Sequence, residues 1–280
     1  MVEILKTPED LRAFSKNLRA QNKTLGFVPT MGALHEGHLT LARTALENCD
    51  ACIISIFVNP KQFAPHEDFD RYPRQLDKDA ELLASVGVDA VFAPDIEVMY
   101  PKDFQTTVSL SEITKPLEGE FRPTHFAGVS TVVTRLLLLV GADKAFFGEK
   151  DYQQLRLIKQ LAKDLAIPTE IIGVPIVREK SGLALSSRNA YLSAEERPIA
   201  DQLNVILKTM ASEFKSGDAI SDIEHRAAQK LLEIGFRKID YITIRDAETL
   251  LPPTIETKSH RILAAAFLGK TRLIDNISAD

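Results

Sequence analysis

The sequence predicts an α/β protein: a parallel sheet covered by helices, followed by a smaller C-terminal α+β domain. Three observations predict it. Short apolar runs alternate with helical patterns as far as residue 175 or so, and strands that are apolar throughout belong to sheets buried on both faces. Near residue 176 the pattern changes to two helical segments and then three strand-like runs. The residues of unusual type fall just after the apolar runs, and parallel sheets bind ligands beyond the carboxyl ends of their strands. With 280 residues the chain is comfortable for two domains, placed at 1–175 and 176–280.

The elements follow in order. Thr7, Pro8, Glu9 and Asp10 are a helix start: a capping hydroxyl, then proline and acids in the first turn. Residues 25–28 read as a short buried strand, 38–48 as a helix and 52–58 as the next strand. A helix is expected over 76–86 and a strand over 90–93. After a loop-rich stretch come a helix at 129–140, a strand at 144–147, a helix at 152–165 and a strand at 170–174. Ser193 to Glu196 is a capping box opening a long helix, with Pro198 inside its first turns. A second helix covers 221–235, and strands are expected over 241–245, 261–267 and 271–275.

Composition sets limits. Apolar residues are 45% and charged residues 26%, as in ordinary globular proteins. The net charge is −5, which does not suggest a nucleic-acid surface. The N-terminal segment lacks the basic-then-apolar order of a signal peptide. The most apolar run, 129–140, is interrupted by Arg135 and is shorter than the roughly 20 residues a bilayer needs. A cytoplasmic protein with neither membrane nor nucleic-acid partners is expected. Cys49 and Cys52 have C-x-x-C spacing, but no second Cys/His pair completes a zinc site, so they read as small core residues.

Five segments could carry chemistry. The first, PTMGALHEGH at 29–38, follows a strand and opens a helix; its glycines allow close backbone approach, and a helix N-terminus offers N–H groups and a positive dipole end to phosphates. His35 and His38 are three apart, share a face in a helical turn, and can donate to a triphosphate as charge builds on it. An ordinary strand–helix turn is the alternative. The second is NPKQF at 59–63 with Glu67 to Arg74 behind it, where Gln62 could bind a small polar substrate or the loop could simply be solvated. The third, RPTHFAG at 122–128, reads as a loop before a helix and contains His125. The fourth, FGEKDYQQ at 147–154, puts Lys150 at a strand–helix corner, with Asp151 able to cap the helix and Gln154 one turn on. The fifth, SGLALSSRN at 181–189, suits a flexible phosphate clamp or a polar linker.

The histidine pair HEGH and the later LSSRN loop resemble the HIGH and KMSKS signatures of the nucleotidyltransferase superfamily, which includes class I aminoacyl-tRNA synthetases. A closer resemblance is to the pantothenate synthetase family. It rests on PTMGALHEGH, SIFVNPKQF, the ED-x3-YPR stretch, RPTHFAGV, FFGEKDYQQL, GLALSSRN-x-YLS, DYITIRDAETL and LGKTRLIDN, spread from residue 29 to 276 in the family's order. That resemblance implies a Rossmann-like nucleotidyltransferase domain with a smaller lid, a homodimer, and an ATP- and Mg²⁺-dependent ligase that joins pantoate to β-alanine through a pantoyl adenylate. It assigns ATP to Met31, Gly32, Ala33, Leu34, His35, Glu36, Gly37 and His38, with His38 as general acid. It adds Gly148, Glu149, Lys150, Asp151, Val177, Leu185, Ser186, Ser187 and Arg188. Gln62 and Gln154 are the expected pantoate contacts, Gln62 also meeting β-alanine. Pro29, Thr30, Tyr72, Arg122 and His125 are expected to line the substrate site. His35, His38, Lys150 and Arg188 would neutralise repulsion between the two anions without any protein nucleophile. Asp79 is the best candidate for a Mg²⁺ ligand, although ATP oxygens and water should carry most of that coordination. Two other readings remain at this point: a nucleotidyltransferase acting on a phosphorylated acceptor, and an inactive nucleotide-binding protein.

Overall fold

The computed structural model describes residues 2–64 and 69–280. In chain order its elements are β1 (Glu3–Leu5), α1 (Pro8–Ala20), β2 (Leu25–Thr30), α2 (Glu36–Asn48), β3 (Ala51–Ile56), α3 (Leu76–Ser85), β4 (Ala90–Phe92), α4 (Ile96–Met99), α5 (Glu118–Phe121), α6 (His125–Val140), β5 (Lys144–Gly148), α7 (Tyr152–Asp164) and β6 (Glu170–Val174). Then come α8 (Glu196–Lys215), α9 (Ile220–Glu233), β7 (Lys238–Asp246), β8 (His260–Leu268) and β9 (Thr271–Ser278). Contacts divide the chain into two units: Met1–Thr114, Arg122–Glu149 and Gln154–Pro175 form one, and Lys115–Phe121, Lys150–Gln153 and Ile176–Asp280 the other.

In the first unit six strands form a sheet in the order β1-β4-β3-β2-β5-β6, and neighbouring strands run parallel throughout. Successive side chains of a strand point to opposite faces, and both faces here are apolar. Leu25, Phe27, Ile53 and Phe92 join a core with α1, α6 and α7. Val28, Cys52, Ile54 and Val91 join a second core with α2 and α3. That double burial is why the strands read as continuous apolar runs. The connections leave β2 in one direction through β3 to β4, and β5 in the other to β6, so the strand order reverses between β2 and β5. Such a reversal opens a crevice at the carboxyl ends of the strands.

Local signals act where the sequence puts them. Thr7 Oγ1 accepts from Asp10 N at 3.1 Å and caps α1. Cys49 and Cys52 are free and buried, and burial pushes both thiols up. The edge strand β1 has no counterpart among the expected elements. One expectation needs correcting. The segment 125–128 is not loop: α6 begins at His125. Gly128 sits within that helix because a Cβ there would collide with the Lys61 carbonyl oxygen. The glycine marks a close crossing of backbones rather than a turn.

In the second unit β7, β8 and β9 form an antiparallel sheet, and α8 and α9 pack on it around Leu203, Leu207, Ile223, Leu231, Ile262 and Ala264. The capping box is present: Glu196 N donates to Ser193 Oγ at 3.2 Å and Ser193 N to Glu196 Oε2 at 3.0 Å. Among the described residues no helix is long and apolar enough to cross a membrane.

Candidate active site

The loop from Met31 to His35 links β2 to α2 and bends through two left-handed residues, Gly32 at φ +80° and Ala33 at φ +53°. Left-handed backbone costs a residue with a Cβ roughly 1–2 kcal/mol. Asp79, fully buried on α3, holds it: Oδ2 accepts from Ala33 N at 2.9 Å and Oδ1 from Leu34 N at 3.0 Å. Gln75 Nε2 donates to Oδ1 at 3.2 Å as well. A Cβ at Gly32 would lie 3.0 Å from both Asp79 Oδ2 and the Ile56 side chain. Thr30 Oγ1 donates to Ser55 O and accepts from Gly32 N, which pins the loop to the strand ends.

This arrangement tests the metal expectation. Both Asp79 oxygens are committed to N–H donors. Among the described residues no group of three or more His, Cys, Asp or Glu side chains could hold a metal ion. Asp79 is thus engaged in shaping the loop, and among the described residues no cluster of ligating side chains stands with it.

His35 is the N-cap of α2, with its Nδ1 accepting from Gly37 N at 3.1 Å. His38 Nδ1 accepts from His35 N at 3.3 Å. The rings lie 4.1 Å apart at 39°. An imidazole whose Nδ1 accepts must, when neutral, carry its proton on Nε2, so each ring is a donor at Nε2. This corrects the expectation of amides left open for phosphate. The amides of Ala33, Leu34, His35, Gly37 and His38 all have protein acceptors. Glu36 points elsewhere, to an ion pair with Arg43 at 2.6 Å that holds its carboxyl below the usual range.

Beside this loop, the 3₁₀ turn Pro60–Gln62 follows β3. Gln62 Nε2 donates to Met31 Sδ at 3.0 Å, and Gln62 Oε1 accepts from Asn59 Nδ2 at 3.0 Å. His125 Nδ1 lies 2.9 Å from the Gln62 carbonyl, which can only accept, so this ring carries a proton on Nδ1. Asn59, which the sequence did not single out, is 1% exposed and organises the corner. Its Nδ2 also reaches Gly128 O at 3.2 Å, and its Oδ1 accepts from Tyr100 OH at 2.7 Å. Burial pushes the Tyr100 hydroxyl up and keeps it a donor. The signal available was a buried-strand end followed by Asn-Pro.

The remaining expected residues divide. Pro29 and Thr30 lie on β2 at this corner. Tyr72 is buried and packs edge-on to Phe63 at 6.0 Å, so its ring belongs to an aromatic cluster. Glu67 and Asp68 lie outside the described residues. Arg122 precedes α6, its carbonyl accepting from His125 N. Gln154 is half-buried on the first turn of α7. At Gly148, the end of β5, a Cβ would meet nothing within 4 Å, so the strand end faces open space. Glu149, Lys150 and Asp151 form a 3₁₀ turn that runs into α7, with Lys150 Nζ 3.7 Å from Asp151 Oδ2.

In the second unit the 181–189 segment differs from the flexible clamp expected. Leu185 N donates to Val177 O at 3.0 Å, Glu179 N to Leu183 O, and Arg178 and Ala184 form an antiparallel bridge. Ser186 Oγ accepts from Arg188 N, capping the 3₁₀ turn Ser187–Tyr191. Asn189 is buried and donates to Ala184 O and Glu179 Oε1. Ser181 Oγ is bonded to Asp201. The segment is a laced hairpin, with Leu185, Ser186, Ser187 and Arg188 half-buried after its return.

The structure is thus an α/β fold whose parallel sheet carries a pair of imidazoles at one helix start and a neutral amide corner beside it. The chain belongs to the pantoate-beta-alanine ligase family, whose model matches residues 3–278. Its relatives include the pantothenate synthetase of Caulobacter vibrioides, 51% identical over 98% of both chains. Among solved structures, that of pantothenate synthetase from Thermus thermophilus superposes with a TM-score of 0.93 at 43% identity over 99% of both chains. That of pantoate-beta-alanine ligase from Francisella tularensis, complexed with beta-gamma ATP and beta-alanine, has a TM-score of 0.84 at 37% identity and covers 100% of this chain and 98% of its own. The chain is thus a ligase that forms a carbon–nitrogen bond.

Proposed function

We propose that this enzyme condenses (R)-pantoate with β-alanine at the expense of ATP, the step that forms pantothenate for coenzyme A biosynthesis. A pantoate carboxylate oxygen attacks the α-phosphorus of ATP, the bond to the β-phosphate oxygen breaks, and pyrophosphate leaves. The β-alanine amine then attacks the acyl carbon of the pantoyl adenylate, AMP leaves, and the amine gives up its proton. The observation that supports this reading is the imidazole pair, whose Nδ1 atoms accept and so leave the proton of each neutral ring on Nε2, beside the Gln62 corner.

The residues take these roles. His38 acts as general acid toward the departing pyrophosphate, with His35 donating beside it. Met31 to His38 meet the nucleotide chiefly through these rings and the helix dipole. Lys150, Arg188, Gly148 to Asp151, Val177 and Leu185 to Ser187 meet its remaining parts. Gln62 and Gln154 hold pantoate through neutral amides, which suit a hydroxy acid, and Pro29, Thr30, Arg122 and His125 surround it, with Tyr72 supporting from within. Mg²⁺ enters with ATP, on phosphate oxygens and water. The substrate domain is taken as residues 1–175 and the smaller lid as 176–280, with 115–121 and 150–153 grouping with the latter, in a cytoplasmic homodimer.

The test is pyrophosphate release with ATP, Mg²⁺ and pantoate, with and without β-alanine. The expected result is a small pantoate-dependent burst that becomes steady turnover to AMP when β-alanine is added. Release that ignores pantoate and requires a phosphorylated acceptor would replace this reading with nucleotidyl transfer.

A further inference from the structure

Asp275 and Asn276 close the LGKTRLIDN run on β9, and they are only 4% and 2% exposed although both are polar. Burying such groups is costly unless they are bonded, and here each is bonded to something that bears on ATP. Asn276 Nδ2 donates to the main-chain carbonyl of Lys150 at 2.9 Å, and Asn276 Oδ1 accepts from Arg261 Nε at 2.7 Å. Asp275 takes the Arg178 guanidinium in a two-point fork, Nη1 to Oδ2 at 2.7 Å and Nη2 to Oδ1 at 2.8 Å. Arg178 Nη2 also reaches Asn276 O at 3.2 Å, and Nη1 reaches Gly182 O at 3.0 Å, inside the hairpin that returns as Leu185 to Arg188. Lys150 and the Leu185–Arg188 stretch, 35 or more residues apart in sequence, thus hang from two adjacent residues of one strand.

We propose that Asp275 and Asn276 are a positioning pair for phosphate binding. They fix the Lys150 main chain and the Arg178 hairpin to a common support, so that two cationic contacts to ATP are registered to each other before the nucleotide arrives. The pair touches no substrate in this role. The fork explains why residue 178 is arginine, since a lysine would hold one oxygen and leave the hairpin free to pivot. The inference rests on reading Lys150 and Arg188 as phosphate ligands.

The experiment is a double-mutant cycle read as pantoate-dependent pyrophosphate release. Asn276→Ala alone should lower kcat roughly 10- to 100-fold, as small displacements of catalytic groups do, with the pantoate KM unchanged. In a Lys150→Ala background the same change should cost less than about twofold. Full, multiplicative losses would show that Asn276 serves stability alone and would overturn the proposal. An unaffected Lys150→Ala enzyme would instead refute the role given to Lys150, and the pair's role with it. Arg178→Lys, which keeps the charge and loses the fork, gives a second arm should Asn276→Ala fail to fold. Its loss should vanish in an Arg188→Ala background, and persistence there would count against the proposal.

Discussion

At the scale of residues, the proposed site turns on which nitrogen of each histidine carries the proton. His35 and His38 both accept backbone N–H groups at Nδ1, so a change that keeps bulk but moves the donor cannot substitute. His38→Ala should reduce adenylate formation roughly 10²-fold or more, the scale seen when a transition-state donor is removed; near-normal single-turnover adenylation would take His38 out of its role. Asp79 makes a different prediction. Asparagine there keeps one acceptor oxygen and turns an NH₂ toward an N–H. Asp79→Asn should cost roughly 3–6 kcal/mol of stability, the sum of a hydrogen bond to a charged group and an unsatisfied donor. It should leave the Mg²⁺ concentration for half-maximal activity unchanged. A tenfold shift in that concentration would make Asp79 a metal ligand after all. The types of these residues were legible in the sequence. Their partners were not, because Asp79 reaches Ala33 and Leu34 across 46 and 45 positions of chain.

At the scale of elements, helix α6 shows how packing overrides local signals. A Pro-Thr-His-Phe-Ala-Gly run reads as loop, since glycine is a poor helix residue by about 1 kcal/mol. The crossing of α6 over the Pro60–Gln62 turn reverses that preference, because only glycine lets the Lys61 carbonyl approach. Gly128→Ala should therefore destabilise the protein by roughly 1–3 kcal/mol through overpacking. It should also raise the pantoate KM, since Gln62 N lies 2.7 Å from the added Cβ, while the ATP KM stays put. A normal melting temperature with an unchanged pantoate KM would contradict this account of the crossing. The 181–189 segment gives the same lesson: its serines and glycine read as a linker, but pairing of Leu185 with Val177 and the fork on Arg178 make it a hairpin.

At the scale of the whole molecule, the proposed homodimer predicts a sedimentation mass near twice 31.1 kDa at micromolar concentration; a monomer across that range would remove the dimer from the description. The central strands of the parallel sheet, the helix starts at Thr7 and Ser193 and the order of the motifs were determined by the sequence alone. They depend on period, capping and composition, which act within a few residues. The family, too, was carried by contiguous runs of residues. What the tertiary structure decided was which polar groups meet: Asp79 with the loop amides, Asn59 with Gly128 and Tyr100, Asn276 with Lys150. Those choices rest on contacts between residues tens to more than a hundred positions apart, and a buried donor or acceptor takes whatever partner the packing brings to it.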